Sequence, residues 1–245
     1  MKNTKKVIPN IFTTLNIFCG YLAIISVNDG KILNAAWLIT IAAILDVLDG
    51  QVARLTKTSS DFGIEFDSLA DVISFGVAPA IIIYKVFFEQ FGMIGIILSF
   101  LPLMCGGIRL ARFNVLFGGK EKTNFVGLPI PAAALSFMSF IIFNYHLWDE
   151  IYLSRVMIPQ LILVSGLMVS KVEYSVLPKA TFRHSKKNSI EIILIISSLI
   201  ILSLFPQKTF YPLMMLYILW GILQFVFKII TNSDHENQIE KKKKK

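Results

Sequence analysis

The chain has 245 residues, of which 55% are hydrophobic and only 16% are charged, and its formal net charge is +8. A soluble domain usually has about a quarter charged residues, so the composition excludes an ordinary water-soluble fold and indicates a membrane protein. The basic residues stand between apolar stretches instead of forming one patch, which argues against nucleic acid as a partner.

Apolar segments follow one another along the whole chain. Because a membrane span needs about 20 residues, they predict an all-α, polytopic membrane bundle of about eight transmembrane helices. This bundle is expected to form one domain over residues 1–232, whereas the polar residues 233–245 end in five lysines and predict a disordered cytoplasmic tail. The predicted segments are 11–27, 32–52, 64–87, 93–112, 128–147, 155–171, 189–205 and 209–227.

The distribution of positive charge predicts the orientation of these segments. If the segments alternate in direction, all but four of the 24 Lys and Arg residues lie on one side of the membrane. Basic residues are retained on the cytoplasmic side, so both termini and the loop after the second segment are expected in the cytoplasm. The four exceptions are Lys31, Lys85, Arg155 and Lys208.

Four aspartates occur where the second segment ends and the third begins, in the run DVLDGQVARLTKTSSDFGIEFDSLAD. An Asp at the centre of a bilayer costs about 2.5–3.5 kcal/mol, so four of them need a compensating interaction. At about 100° per residue, Asp46 and Asp49 share one stripe of the second helix. Asp67 and Asp71 share one stripe of the antiparallel third helix. The spacing therefore predicts that four carboxylates converge at the cytoplasmic ends of two helices.

Converging carboxylates repel one another unless cations lie between them. Four negative charges match two divalent ions, and oxygen ligands favour Mg²⁺ or Mn²⁺. A pair of such ions commonly holds a phosphoryl group during displacement. Gly50 and Ala53 leave the helix surface open to a ligand, and Arg54 can bind phosphate oxygens. A divalent-cation transporter is the alternative, but it would spread its carboxylates through the depth of the membrane.

The pattern D-x2-D-G-x2-A-R-x8-G-x3-D-x3-D, which begins at Asp46, resembles the signature of the CDP-alcohol phosphotransferases at every fixed position. Members of that family move a substituted phosphoryl group from a CDP-linked donor to an alcohol and release CMP. The resemblance implies that all four aspartates are metal ligands and that Asp71 is also the general base for the acceptor hydroxyl. It implies contacts with the CDP-linked donor for Gly50, Ala53, Arg54 and Ser60.

The first segment carries Asn10, Thr13 and Asn16, which lie within about 120° of one another on a helix. Two interpretations stay open for them. They contact the headgroup of the donor, with Asn10 and Thr13 as its predicted ligands, or they hydrogen-bond to a neighbouring helix.

Four strings around the motif narrow the resemblance to the branch of the family whose acceptor is L-serine: IPNIFTTLNIFCGYLAI, FDSLADVISFGVAPA, RLARFN and GLPIPAAA. This branch implies CDP-diacylglycerol as the donor, phosphatidylserine and CMP as products, a homodimer and the bacterial inner membrane. Arg109 and Arg112 are candidates for the serine carboxylate, and Asn114 for its ammonium group. The arginines are alternatively membrane anchors, and glycerol 3-phosphate or an inositol compound is the alternative acceptor.

Overall fold

The structure is a computed structural model that describes residues 4–56, 60–117, 124–175, 202 and 204–243. Helices make up almost all of it, with one short antiparallel pair of strands, so the predicted all-α class is confirmed. The α-helices are α1 (Thr4–Asn28), α2 (Ile32–Thr56), α3 (Asp61–Asp71), α4 (Ala78–Ile83), α5 (Gly92–Phe117), α6 (Ile130–Trp148), α7 (Met157–Val169) and α8 (Pro206–Lys243), and the strands are β1 (Asn124–Val126) and β2 (Glu173–Ser175).

Five helical stretches of the described residues are long and apolar enough to cross a membrane. One of them, Asp61–Val115, has 55 residues. At about 1.5 Å per residue it is more than twice as long as the hydrocarbon core is thick, so it must fold back. It turns at Gly92, whose φ of +54° suits glycine, and α5 then packs against the residues before the turn. The predicted count of about eight helices is not confirmed, and segment 189–205 lies almost wholly outside the described residues.

The last helix differs from the sequence prediction at its end. Residues 233–243, for which the sequence predicts a disordered tail, continue α8 as far as Lys243. This stretch is rich in Lys, Glu and Gln, which are good helix formers, so the helix can extend beyond its apolar part.

The core is centred on α6 and on the hairpin of α1 and α2. Phe137, Phe140 and Ile141 of α6 are buried, and small residues such as Ala35 and Ala36 let α1 and α2 approach closely. The outer faces of the helices expose large apolar side chains, among them those of Ile44, Ile97 and Leu216, as expected for contact with lipid.

A π-helix, Val72–Val77, begins directly after Asp71 and separates α3 from α4. Its backbone bonds span five residues, as from the Ala78 N–H to the Ile73 carbonyl. Pro79 follows this π-helix directly after Ala78 and has no N–H to donate to the helix ladder. Such π turns are frequent at functional sites, and this one places Ser74 against α1. The Ser74 hydroxyl donates to the backbone carbonyl of Asn16 at 3.0 Å.

Gly20 allows this close approach of the π-helix to α1. A Cβ atom at Gly20 would lie 2.6 Å from Ser74 Oγ and 2.9 Å from Ser74 Cα, so the backbone of the π-helix would have to move. We expect Gly20→Ala to lower activity by about 10²-fold, the cost of misplacing a reacting group by about 1 Å, because Asp71 moves with the π-helix. The measurement is turnover together with the thermal unfolding temperature in detergent.

Gly107→Ala is the matched control, since Gly107 also lies inside a helix and its added Cβ would meet no atom within 4 Å. Near-normal turnover of Gly20→Ala would show that the contact between α1 and the π-helix does not position Asp71.

Candidate active site

Three carboxylates converge where α2 ends and α3 begins. Oxygen atoms of Asp46, Asp49 and Asp67 lie within 4.8 Å of one another. In the part of the chain that the structure describes, no other group of three or more His, Cys, Asp or Glu side chains comes together in this way. The helical spacing therefore predicted this convergence correctly.

Asp71 lies one turn after Asp67, next to the same cluster. Asp46 and Arg109 are among its electrostatic neighbours. One carboxylate oxygen of Asp71 and one of Asp67 are buried without a hydrogen-bond partner among the described residues. Buried carboxylate oxygens are costly unless a charge or a donor faces them. An all-oxygen cluster with two such atoms fits a hard divalent cation, so these aspartates could hold a metal.

Helix α1 forms one wall of the site. The Thr13 hydroxyl donates to Asp49 Oδ2 at 2.9 Å. A Cβ at Gly63 of α3 would lie 3.8 Å from Asn10 Oδ1, so Asn10 also lies beside the motif. Asn16 is fully buried, and neither atom of its side-chain amide has a hydrogen-bond partner among the described residues. The polar stripe predicted on the first segment therefore faces the aspartate helices.

The hydrogen bond from Thr13 suggests a direct test. We expect Thr13→Val to lower the catalytic efficiency for the donor by about tenfold or more, because a hydrogen bond to a charged group contributes about 1.5–3 kcal/mol. Thr13→Ser should keep most of the activity. The matched control is Thr14→Val, since the exposed Thr14 hydroxyl donates only to the Asn10 carbonyl of its own helix. Equal activity of the two valine variants would contradict a role for this bond.

The end of α2 and the start of α3 carry the other residues predicted to contact the donor. Arg54 Nε donates to the Gly50 carbonyl at 3.1 Å, so the exposed guanidinium folds over Gly50. Ala53 is half-buried on the same helix. Ser60 caps α3, because its Oγ accepts from the Gly63 N–H at 3.1 Å. These residues lie in the last two turns of α2 and at the start of α3.

The three residues predicted to bind the acceptor contact three different parts of the structure. Arg109 is only 6% exposed and lies close to Asp71. Arg112, one turn further along α5, donates instead to the carbonyl of Val169 at 3.2 Å, where α7 ends. The C-terminal end of a helix carries a partial negative charge, so the positive charge of Arg112 is stabilised there. The contact indicates a structural role for Arg112. Asn114 Nδ2 donates to Ser68 Oγ of α3 at 3.1 Å.

The last helix contributes a neighbour of the site that the sequence did not reveal. Tyr217 of α8 lies beside Arg109, and its ring packs on Tyr174 of β2 with 5.5 Å between ring centroids. Burial raises the pKa of the Tyr174 phenol to about 12, so the phenol stays protonated. Gly221 makes room for this ring, since a Cβ there would lie 2.2 Å from it. In the sequence, the neighbours of Arg109 could have been suspected only from the spacing of Tyr217 and Gly221, which lie four residues apart on one face of the helix. That spacing by itself does not indicate a binding site.

A bundle of apolar helices with an aspartate cluster at one end defines the class of this protein. The family described as CDP-alcohol phosphatidyltransferase matches residues 6–172. The match covers more than half of the chain, which therefore belongs to this family of phosphotransferases and is a multi-pass membrane protein. Membership in a family of enzymes disfavours the transporter alternative.

Relatives within the family carry more specific names. The chain is 40% identical to the CDP-diacylglycerol–serine O-phosphatidyltransferase of Helicobacter pylori over 92% of its own length and 95% of the relative. It is 43% identical to the archaetidylserine synthase of Methanothermobacter thermautotrophicus over 71% of the chain and 74% of the relative. It is 34% identical to the CDP-diacylglycerol–serine O-phosphatidyltransferase of Bacillus subtilis over 75% of the chain and 94% of the relative.

Proposed function

We propose that this chain transfers the phosphatidyl group of CDP-diacylglycerol to the hydroxyl of L-serine, giving phosphatidylserine and CMP. The observation that carries the proposal is the 40% identity over almost the whole length of a relative named for this reaction. The aspartate cluster that α2 and α3 form together supplies carboxylates for divalent ions and for proton transfer, which such a reaction needs.

The proposed metal ligands are Asp46, Asp49, Asp67 and Asp71, and the proposed ions are two Mg²⁺ or Mn²⁺. When bound, such ions neutralise the diphosphate and make its phosphorus easier to attack. The chain itself positions these ligands through helix spacing and through the hydrogen bond from Thr13 to Asp49.

The donor is proposed to bind along the last two turns of α2 and the start of α3. Arg54 is the fixed positive charge there and suits the diphosphate, while Gly50 leaves room for the nucleotide. The acyl chains would remain among the exposed apolar side chains that face lipid. The complete set of residues proposed for donor binding is Asn10, Thr13, Gly50, Ala53, Arg54 and Ser60.

The chemical step is proposed to be a single displacement. The hydroxyl oxygen of serine bonds to the phosphorus that carries diacylglycerol, while Asp71 accepts the hydroxyl proton. The bond from that phosphorus to the CMP oxygen breaks, and CMP leaves with the electron pair. Arg109 lies beside Asp71 and suits the serine carboxylate, since arginine binds carboxylates through two parallel hydrogen bonds. Arg109 is the favoured partner among the three candidates because it lies next to the proposed base, whereas Arg112 and Asn114 contact α7 and Ser68.

The arrangement in the membrane is also proposed. The site lies at the ends of helices that border the Lys- and Arg-rich side of the chain, which supports a cytoplasmic site with both termini in the cytoplasm. The location would be the bacterial inner membrane. Residues 1–232 form the catalytic domain and residues 233–245 a cytoplasmic extension, and the chain is proposed to act as a homodimer.

An acceptor panel tests the proposed function. Purified protein would receive labelled CDP-diacylglycerol with Mn²⁺ or Mg²⁺ and one acceptor at a time: L-serine, glycerol 3-phosphate, inositol, inositol phosphate or water alone. We expect CMP release and labelled phosphatidylserine with L-serine only. Release that depends on another alcohol and not on serine would overturn the choice of acceptor while keeping the family chemistry.

A further inference from the structure

Asn16 is a buried polar residue with nothing to bond to in the described part of the chain. Its exposed fraction is 0%, and both Nδ2 and Oδ1 lack a hydrogen-bond partner there. Leaving such a group unsatisfied is costly, so buried amides in native proteins almost always have a partner. The amide is therefore suited to a ligand that enters the site.

The position of Asn16 places this amide on the side of Asp71. Three residues earlier on α1, Thr13 donates to Asp49, so this face of α1 points to the carboxylates. The backbone carbonyl of Asn16 accepts a hydrogen bond from the Ser74 hydroxyl at 3.0 Å, and Ser74 follows Asp71 by three residues. Asp67 and Asp71 each contribute a further buried oxygen without a partner among the described residues. Asn16, Asp67 and Asp71 therefore each bury polar side-chain atoms without a partner, on elements that pack against one another: α1, α3 and the π-helix.

The donor and the acceptor must approach the aspartate cluster from different sides. Gly50 and Arg54 lie in the last two turns of α2, and Ser60 directly precedes α3. Asn16 lies about one turn further along α1 than Thr13, and its backbone carbonyl accepts from Ser74, which follows Asp71 by three residues. A ligand group that reaches Asn16 from the side of Asp71 would therefore belong to the acceptor, whose proton Asp71 is proposed to take.

We propose that Asn16 binds the acceptor, a small amino acid with a hydroxyl group, and helps to select it. The inference rests on the proposed function and deepens it. The amide oxygen of Asn16 can accept from the ammonium group of the acceptor, and its NH₂ can donate to a carboxylate or hydroxyl. Asn114, the residue predicted from the sequence for the ammonium group, donates through Nδ2 to Ser68 and remains a second candidate. With Arg109 near the carboxylate, the two residues would hold a zwitterion with its hydroxyl at Asp71.

The test compares wild type with Asn16→Ala and with Asn16→Leu, which has nearly the same volume but no polar atom. The readouts are KM for L-serine, KM for CDP-diacylglycerol, and the rise in unfolding temperature that CDP-diacylglycerol causes without serine. We expect at least a tenfold higher KM for serine in both variants, with the other two readouts unchanged. Thr14→Val, on the exposed face of α1, is the control and should match wild type.

Other outcomes overturn the proposal. An unchanged KM for serine, or a change confined to the KM or stabilisation by CDP-diacylglycerol, would exclude a contact with the acceptor. If neither variant folds, Asn16 is needed for the fold without any ligand, which also overturns it. Failure of the proposed function is separate: wild type would then use a different alcohol, and the KM for that alcohol in Asn16→Ala would decide the role of Asn16.

Discussion

Asp71→Asn is expected to abolish phosphatidyl transfer while the protein still binds CDP-diacylglycerol. The asparagine amide has nearly the same shape as the carboxylate but cannot accept the proton of the serine hydroxyl. General base catalysis contributes about 10²–10⁴-fold to rates, so turnover should fall by at least that factor. The measurements are the rate of serine-dependent CMP release and the stabilisation of the variant by CDP-diacylglycerol.

The control for this variant is Asp61→Asn. Asp61 begins the same helix, α3, but its side chain is exposed and lies outside the carboxylate cluster. It should retain near-normal turnover. Comparable activity of Asp71→Asn and Asp61→Asn would remove Asp71 from the role of base. Loss of donor stabilisation in Asp71→Asn would instead make its metal-binding role the dominant one.

Asp67→Asn is expected to remove both activity and the binding of divalent ions. Asp67 lies within 4.8 Å of Asp46 and Asp49 and is an electrostatic neighbour of Asp71, so its loss removes one proposed ligand from the centre of the cluster. The direct readout is Mn²⁺ binding to the purified protein by electron paramagnetic resonance, and we expect at least about tenfold weaker binding. Chelation of divalent ions should abolish the activity of wild type as well.

A second readout separates metal binding from misfolding. Without metal, the clustered carboxylates repel one another, so Asp67→Asn should be at least as stable to heat as wild type. With Mn²⁺, wild type gains stability because the ion binds only the folded state, and the variant should lose that gain. Glu65→Gln, exposed on the same helix, is the control. If Mn²⁺ stabilised Asp67→Asn as strongly as wild type, Asp67 would not be a ligand.

The number of helices illustrates one limit of the sequence. Apolar composition predicted about eight spans, whereas the described residues contain five stretches that meet the length of a span. Hydropathy cannot distinguish a full span from a shorter apolar helix such as α7, which has 13 residues. The predicted break between segments 64–87 and 93–112 does contain the turn at Gly92.

The arginines of α5 show why the role of a side chain was harder to predict than the helix face on which it lies. Arg109 and Arg112 are three residues apart and lie on the same side of the helix. Sequence spacing gives both the same access to the aspartates, yet Arg109 lies beside Asp71 and Arg112 bonds to the end of α7. The position of a long side chain depends on acceptors supplied by other helices, which only the packed structure brings near.

The sequence by itself determined the membrane class, the family and the convergence of the aspartates. The membrane class follows from composition, and the convergence follows from the fixed rise and rotation of a helix. The family follows from the resemblance of the motif that begins at Asp46. Only the tertiary structure revealed the π-helix after Asp71 and the approach of Tyr217 to Arg109. It also revealed that the buried side-chain amide of Asn16 has no hydrogen-bond partner among the described residues. Each depends on which helices pack together and how closely, because contacts between distant segments are set by packing and not by spacing along one helix.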